Sequence, residues 1–155
     1  VIRYSKDPIP DDIRIVTSHD GLDVLCDGPE DGILLVAHGQ LCAEALAAVD
    51  QLDFPVRVVS PRWSLPVCGG LIEEAARARA VVSVEDGLVV SGLGSHLADV
   101  LSQRGMWRPI RSLGISQRYL DHDSRSAIIA ELGLDSRGIA DAVSQLVAQL
   151  DGECS

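Results

Sequence analysis

The length, composition and charge of this chain limit the classes of protein to which it can belong. Its 155 residues are typical of one domain, and a content of 46% hydrophobic but only 3% aromatic residues predicts a core of Val, Leu, Ile and Ala. The formal net charge of −10 repels phosphate backbones, and no apolar run is long enough to cross a bilayer, so we predict neither a nucleic-acid nor a membrane partner. The first residues lack the basic-then-apolar order of a signal peptide, so we predict none here. The missing initial Met leads us to expect that the chain is trimmed or excised from a longer one.

After a polar start, apolar runs and amphipathic segments alternate along the chain. Residues 1–21 contain Pro8 and Pro10, and we interpret them as an arm or linker that precedes a domain at 22–155. Short apolar runs predict strands, and apolar residues that recur every three or four positions predict helices. The predicted elements, in chain order, are strand 22–26, strand 33–37, helix 40–52, strand 55–60, helix 68–80, strand 80–85, helix 94–105, strand 108–115, helix 124–133 and helix 136–150.

The order of these elements predicts an α/β fold. Strand and helix alternate from residue 33 to 115, and helical crossovers join parallel strands, so helices should cover both faces of an open sheet. The turn between strands 22–26 and 33–37 is short, which favours antiparallel pairing of these two strands. We therefore predict a three-layer α/β/α domain with a mostly parallel, mixed, five-stranded sheet that has one antiparallel edge strand.

Residues at three positions are predicted to form helix ends. Asp123 and Asp135 stand where the N-caps of the last two helices belong, because their side chains can accept bonds from the first free amides. Gly105 suits the left-handed position that follows a helix.

The four cysteines give no sign of a metal site or of a disulfide framework. Cys26, Cys42, Cys68 and Cys154 show no CxxC spacing, and none has a histidine at ligand spacing. We interpret them as unreactive thiols in a reducing, cytoplasmic environment, and we predict no bound metal.

The segment SGLGSH, residues 91–96, is the clearest candidate for a binding turn. It opens a helix after a strand, so the amides around Gly92, Gly94 and Ser95 could bind an anion such as a phosphate. The segment is neither a GxGxxG fingerprint nor a P-loop. We favour close packing and a sharp turn as its role, with anion binding as the alternative.

Other polar residues near predicted strand ends have both a functional and a structural interpretation. His38 follows strand 33–37 at a carboxyl end, where ligands bind in open α/β sheets. Glu85 and Asp86 form a carboxylate pair that could exchange protons, but such pairs also end strands in solvent. We interpret His38 as a polar helix-entry residue, His96 as a capping or packing residue near a helix N-terminus, and the loop around His122 as structural or interfacial.

Several segments, in order, resemble one enzyme family. Residues 114–143, GISQRYLDHDSRSAIIAELGLDSRGIADAV, closely resemble the C-terminal end of 1-deoxy-D-xylulose-5-phosphate synthases, and AELGLD (130–135) followed by Gly138-Ile139 is the most specific part. The other segments that are similar to this family are IRYSKDPIP (2–10), ILLVAHG (33–39), VVSPRWSLPV (58–67) and VSVEDGLVVSGLGS (82–95). The resemblance covers essentially the whole chain. The sequence departs from the family pattern at Ser5, Asp7, Gly87 and Ser91.

The resemblance implies a part of an enzyme. The family condenses pyruvate with D-glyceraldehyde 3-phosphate, releasing CO₂, to make 1-deoxy-D-xylulose 5-phosphate for isoprenoid, thiamine and pyridoxal synthesis. Thiamine diphosphate carries the chemistry, and Mg²⁺ links its diphosphate to a Gly-Asp-Gly…Asn motif, but this chain has no Gly-Asp-Gly. The implied unit is the transketolase-type C-terminal domain of a homodimeric transferase, joined through residues 1–21 to a pyrimidine-binding domain. Alone it should bind no cofactor, have no catalytic residues and be inactive, its partners being the other domains of its own chain.

One residue is carried over from the family's substrate site. An Arg at the start of the Arg-Tyr-Pro segment grips the substrate phosphate in related enzymes, and Arg3 matches it. Two alternatives remain open. The chain could be the matching domain of another thiamine diphosphate enzyme, transketolase or the β subunit of a 2-oxo-acid dehydrogenase. It could also be a free-standing module that binds an anion or nucleotide at residues 91–96.

Overall fold

The computed structural model describes residues 13–120 and 122–152 of the chain. Six strands and five helices alternate within these residues much as the hydrophobic pattern predicts. In chain order they are β1 Thr17–His19, β2 Leu22–Cys26, β3 Ile33–Ala37, α1 Leu41–Val49, β4 Val56–Pro61, α2 Gly69–Arg77, β5 Ala80–Leu88, α3 Leu93–Gln103, β6 Ile110–Ile115, α4 Arg125–Glu131 and α5 Ser136–Gly152. Within the same residues, no helix has both the length and the apolarity that a bilayer crossing requires.

The strands form one mixed sheet in the order β1-β2-β4-β3-β5-β6. Strands β4, β3, β5 and β6 are parallel neighbours, and β2 runs antiparallel to β4. The three-layer fold class is therefore confirmed, but the sheet has six strands where five were expected. The edge strand does pair antiparallel with its neighbour, but it is β1 rather than β2, which lies one position in from the edge.

The pairing of β2 is a second difference from the sequence-based expectation. β2 pairs with β4, with Val24 opposite Val59, and it does not pair with β3. The turn after β2 passes close over the start of β4, and a Cβ on Gly28 would lie only 2.7 Å from the Arg57 amide nitrogen. The carboxylate of Asp27 also bonds the Arg57 guanidinium. With these contacts, the short connection from β2 to β3 passes over β4, which lies between them in the sheet.

Two hydrophobic clusters lie on opposite faces of the sheet. Helices α1 and α5 pack on one face over alternate residues of the central strands, with Leu35 and Val82 fully buried there. Helices α2 and α3 pack on the other face over Leu34 and Val81. All five residues of β3 are buried, which is the physical reason for its uninterrupted apolar sequence ILLVA.

Part of the segment that was predicted to be an arm belongs to the folded domain. Within 13–21, residues 17–19 form β1, and Ile13 packs against the core beneath α1 and α5. Such a short strand, with polar Thr and Ser, gives no alternating pattern from which it could have been recognised. The assignment of 1–21 to a linker from another domain stays a prediction, and residues 1–12 lie outside the described residues.

The predicted helix ends are confirmed at two positions and wrong at one. Asp135 accepts a bond from Gly138 N at 2.9 Å, and Gly105 follows α3 with a φ of +72°. The N-cap of α4 is Ser124, whose Oγ accepts from Ala127 N at 3.2 Å. Asp123 instead accepts from the backbone N–H of Ser124, so it orders the residue that caps the helix.

Candidate functional site

A groove of about 380 Å³ lies at the carboxyl edge of the sheet, which is the edge where β3, β4, β5 and β6 end. This is the place where open α/β sheets bind ligands, because adjacent loops diverge there. The residues that line it are His38, Gly39, Gln40, Ser64, Glu85, Asp86 and Gly87. The structure therefore brings together His38 and the carboxylate pair, which the sequence suggested separately, and adds Gln40 and Ser64.

The His38 side chain is held at the end of β3 by the neighbouring strand. Its Nδ1 lies 3.2 Å from the carbonyl oxygen of Pro61, at the end of β4. A carbonyl oxygen only accepts hydrogen bonds, so Nδ1 carries the proton and Nε2 is the nitrogen that remains for another partner. The helix-entry interpretation of His38 is compatible with this contact, which joins two strand ends.

The carboxylate of Glu85 occupies the N-terminus of α3. Leu93 N donates to Glu85 Oε2 at 3.0 Å, and Gly94 N donates to Oε1 at 3.4 Å. The carboxylate thus satisfies two amides that an α-helix leaves free, and its charge lies at the positive end of the helix dipole. The anion that these amides bind in the structure is therefore the Glu85 carboxylate.

The glycines of SGLGSH make this arrangement possible. A Cβ on Gly92 would collide with the Glu85 carboxylate, and a Cβ on Gly94 would collide with the hydroxyls of Ser83 and Ser112. The Ser95 hydroxyl donates to the carbonyl oxygen of Val89 at 2.7 Å, which closes the turn. These contacts support close packing as the role of Gly92, Gly94 and Ser95, while binding of an external anion stays a prediction.

The second carboxylate of the pair has a different partner. Asp86 Oδ2 accepts a bond from Arg125 Nη1 at 2.7 Å, so the end of β5 is tied to the start of α4. In the loop before α4, Arg118 bonds Glu131 at 2.8 Å. Glu85 and Asp86 therefore point to different partners, and the pair is not arranged to share a proton.

A buried ion pair, which the sequence analysis did not single out, lies away from the groove. Arg57 on β4 is only 8% exposed, and its Nε and Nη2 donate to the two carboxylate oxygens of Glu74 at 2.9 and 3.1 Å. Burial disfavours the charged guanidinium, but the bonds to Glu74 and Asp27 outweigh it, and the pKa of Arg57 is raised. The sequence feature that could have pointed to this buried pair is the charged Arg57 inside the otherwise apolar strand segment VRVVS.

The remaining candidates do not converge on a centre of reaction. His96 lies half-buried in α3 and His122 is exposed. Cys26, Cys42 and Cys68 are free thiols, and burial raises the pKa of Cys42 although its bond to Ser60 opposes this. Among residues 13–120 and 122–152, no three His, Cys, Asp or Glu side chains are grouped to hold a metal ion. Arg3 and Cys154 lie outside the described residues.

Comparison with known proteins agrees with the fold. The family described as "Transketolase, C-terminal domain" matches residues 23–139. The 1-deoxy-D-xylulose-5-phosphate synthase of Cutibacterium acnes is 97% identical over 155 residues, which are all of this chain and 25% of that protein. The 1-deoxy-D-xylulose-5-phosphate synthase 2 of Streptomyces avermitilis is 40% identical over 98% of this chain and 24% of its own length.

Solved structures resemble the fold. A split-gene transketolase, described as an inactive beta4 tetramer, has a TM-score of 0.70 and 30% identity over 84% of this chain and 42% of its own. The transketolase of Campylobacter jejuni has a TM-score of 0.58 and 16% identity over 85% of this chain and 20% of its own, and it shows the fold alone.

The sheet order, the two helical layers and the groove define a three-layer α/β domain with a polar groove at the carboxyl edge of its sheet. The chain belongs to the transketolase C-terminal domain family. It spans about a quarter of the length of the synthases that it matches.

Replacement of Glu85 by Ala is expected to lower the free energy of unfolding by about 0.5–2 kcal/mol, the range found when an N-terminal helix cap is lost. It should also free the amides of Leu93 and Gly94 for a dissolved anion. Inorganic phosphate should then raise the melting temperature of the variant but not that of the wild type, as measured by circular dichroism.

The matched control is Asp86→Ala, which removes the neighbouring carboxylate and its ion pair with Arg125. Such partly exposed pairs contribute less than about 1 kcal/mol, and this variant should not respond to phosphate. Equal stabilisation of the wild type and of Glu85→Ala by phosphate would contradict the assignment, because it would mean that Glu85 does not block the amides.

Proposed function

We propose that this chain is the C-terminal domain of a 1-deoxy-D-xylulose-5-phosphate synthase. The observation that carries the proposal is the 97% identity over all 155 residues with the enzyme of that name in Cutibacterium acnes. Identity of this extent leaves the core, the groove and the loops of the two proteins nearly the same. The full-length protein would then condense pyruvate with D-glyceraldehyde 3-phosphate, with release of CO₂, to form 1-deoxy-D-xylulose 5-phosphate. This reaction would place it in isoprenoid biosynthesis.

The described residues do not fit thiamine diphosphate and Mg²⁺, the cofactors implied for the full-length enzyme. A diphosphate needs free donors, but Leu93 N and Gly94 N already donate to Glu85. Mg²⁺ needs grouped oxygen ligands, whereas Asp86 is paired with Arg125. We therefore assign the cofactor and the chemistry to the rest of the full-length polypeptide, and an architectural role to this domain.

The proposed role includes assembly with a second copy. A related split-gene transketolase, 30% identical to this chain, is described as a beta4 tetramer, which supports a tendency of this domain type to assemble. We propose a homodimer for the full-length enzyme, working in the cytoplasm, where thiols such as Cys26 and Cys68 stay reduced. We also propose Arg3 as a contact of the substrate phosphate in that enzyme, as a forked guanidinium suits a phosphate.

Isothermal titration of the 155-residue chain with thiamine diphosphate and Mg²⁺ is expected to give no heat of binding. The full-length protein should bind the cofactor and form 1-deoxy-D-xylulose 5-phosphate with CO₂ from pyruvate and D-glyceraldehyde 3-phosphate. Tight binding of the cofactor to the chain alone would refute the architectural role. A cofactor-loaded full-length protein that makes no such product would refute the proposed activity.

A further inference from the structure

Exposed apolar side chains concentrate at the carboxyl edge of the sheet. Among the residues that the structure describes, eight large hydrophobic side chains are exposed: Ile15, Val16, Trp63, Leu65, Leu88, Val90, Trp107 and Tyr119. Five of these lie at or just after the ends of β4, β5 and β6, in the segments 62–66, 88–90 and 116–120. Single exposed apolar residues are ordinary, but a group along one edge marks a contact surface.

The groove lies between these apolar segments and makes the surface concave. Ser64, next to Trp63 and Leu65, forms one wall, and Gly87, next to Leu88, forms another. A bond from Val89 N to Ile115 O at 3.0 Å holds the end of β5 against the end of β6, from which the loop carrying Tyr119 leaves. We name this surface, made of residues 62–66, 85–90 and 116–120 around the groove, the carboxyl-edge surface.

Charged groups of the carboxyl-edge surface already have partners inside the domain. Glu85 accepts from two amides of α3, and Asp86 is paired with Arg125 at 2.7 Å. Arg62 is paired with Asp23 at 3.1 Å. Covering a charge that is already hydrogen-bonded costs less than covering an unpaired one, so the surface can be desolvated by an apolar partner.

We propose that the carboxyl-edge surface is where the preceding domains of the full-length polypeptide dock. This inference rests on the proposed function, because it is the synthase architecture that supplies those domains. The chain spans 25% of the length of its 97% identical relative, so about three times as much polypeptide would be tethered to it. A tether raises the local concentration of a neighbouring domain to the millimolar range, so even a modest apolar surface is covered continuously.

Hydrogen exchange of the full-length protein tests the docking directly. In comparison with the 155-residue chain, amides in 62–65 and 88–90 should exchange about tenfold more slowly, because docking removes their access to water. Amides around Trp107, which lies before β6 at the opposite edge of the sheet, should exchange equally in both proteins. Equal exchange at both edges, or protection only around Trp107, would overturn the proposal.

Two matched tryptophan variants of the full-length protein give a second measurement. Trp63 and Trp107 are 74% and 83% exposed, so neither Trp63→Ser nor Trp107→Ser should prevent folding. Trp63→Ser should increase exchange in 88–90, across the groove, by about threefold or more through weakened docking. Trp107→Ser should leave that exchange unchanged. The same effect from both variants, or from neither, would overturn the proposal.

Two further measurements distinguish the docking from self-association of this domain and from the proposed activity. If the 155-residue chain alone sediments as a dimer and gains the same protection on concentration, the surface binds a second copy and the docking proposal is wrong. Product formation by the full-length protein is measured in parallel. If the full-length protein forms 1-deoxy-D-xylulose 5-phosphate but the amides in 62–65 and 88–90 are not protected, only the docking is refuted. If those amides are protected but no product forms, the proposed activity is refuted and the docking is supported.

Discussion

Replacement of Glu74 by Gln is expected to lower the free energy of unfolding by about 3 kcal/mol, which is the low end of the cost of breaking a buried ion pair. The substitution preserves the shape of the side chain but removes the charge that balances Arg57, and Glu74 is only 2% exposed. The partner that Arg57 keeps, Asp27, is 72% exposed and well solvated, so it compensates only in part. Urea denaturation followed by circular dichroism measures the loss.

The adjacent carboxylate gives a matched control for this prediction. Glu73 precedes Glu74 in α2 but is exposed, so Glu73→Gln should change stability by less than about 0.5 kcal/mol. The double variant Arg57→Met with Glu74→Leu should recover most of the loss, because apolar side chains of similar volume can replace a buried pair. Equal losses from Glu73→Gln and Glu74→Gln would show that the charge of Glu74 is not compensated by Arg57.

Replacement of Gly138 by Ala is expected to lower the free energy of unfolding by about 3 kcal/mol, the upper end of the usual cost of overpacking, through a backbone collision in the corner between α4 and α5. A Cβ on Gly138 would lie 2.5 Å from both the Cα and the carbonyl oxygen of Gly133. These are backbone atoms, so no side-chain rotation relieves the contact. The two helices would have to separate, and Ile139, which is fully buried in the core, would move with α5.

The same substitution at the other end of α5 is the control. Outside its chain neighbours and its own helix backbone, a Cβ on Gly152 would meet no described atom within 4 Å, so Gly152→Ala should leave stability unchanged or raise it by up to about 1 kcal/mol through helix propensity. Thermal unfolding of the two variants gives the comparison. A loss at Gly138 no larger than the change at Gly152 would contradict the close approach of the two helices.

The corner also explains the most specific part of the family resemblance in physical terms. Gly133 has a φ of +66°, a left-handed conformation that favours glycine, and it follows α4. Leu134 N donates to Ile129 O at 2.9 Å, and Leu134 is fully buried beneath the corner. Asp135 then accepts from Gly138 N and begins α5. The segment AELGLD with the later Gly-Ile therefore specifies one tight turn between two helices.

The site was recoverable from the sequence only in pieces. Because the ends of parallel strands meet at one edge, the position of His38 after its strand and that of Glu85 at the predicted end of another were enough to suggest that edge. Ser64 carried no such signal, since it lies in the loop between β4 and α2 and at no predicted strand end. The identity of the group at the N-terminus of α3 was not predicted either, because glycine patterns indicate free amides but not which acceptor reaches them.

The local hydrophobic periodicity of this sequence was sufficient to determine most of the strands, the helices and the face that each buries, because burial on a strand or helix repeats over a few residues. Only the tertiary structure decided that β2 lies beside β4 and that Glu85 fills the turn before α3. Strand neighbours are chosen by contacts across the chain, such as the bond of Asp27 to Arg57, 30 positions away. Such contacts depend on distances in the folded state, which no repeat in the sequence encodes.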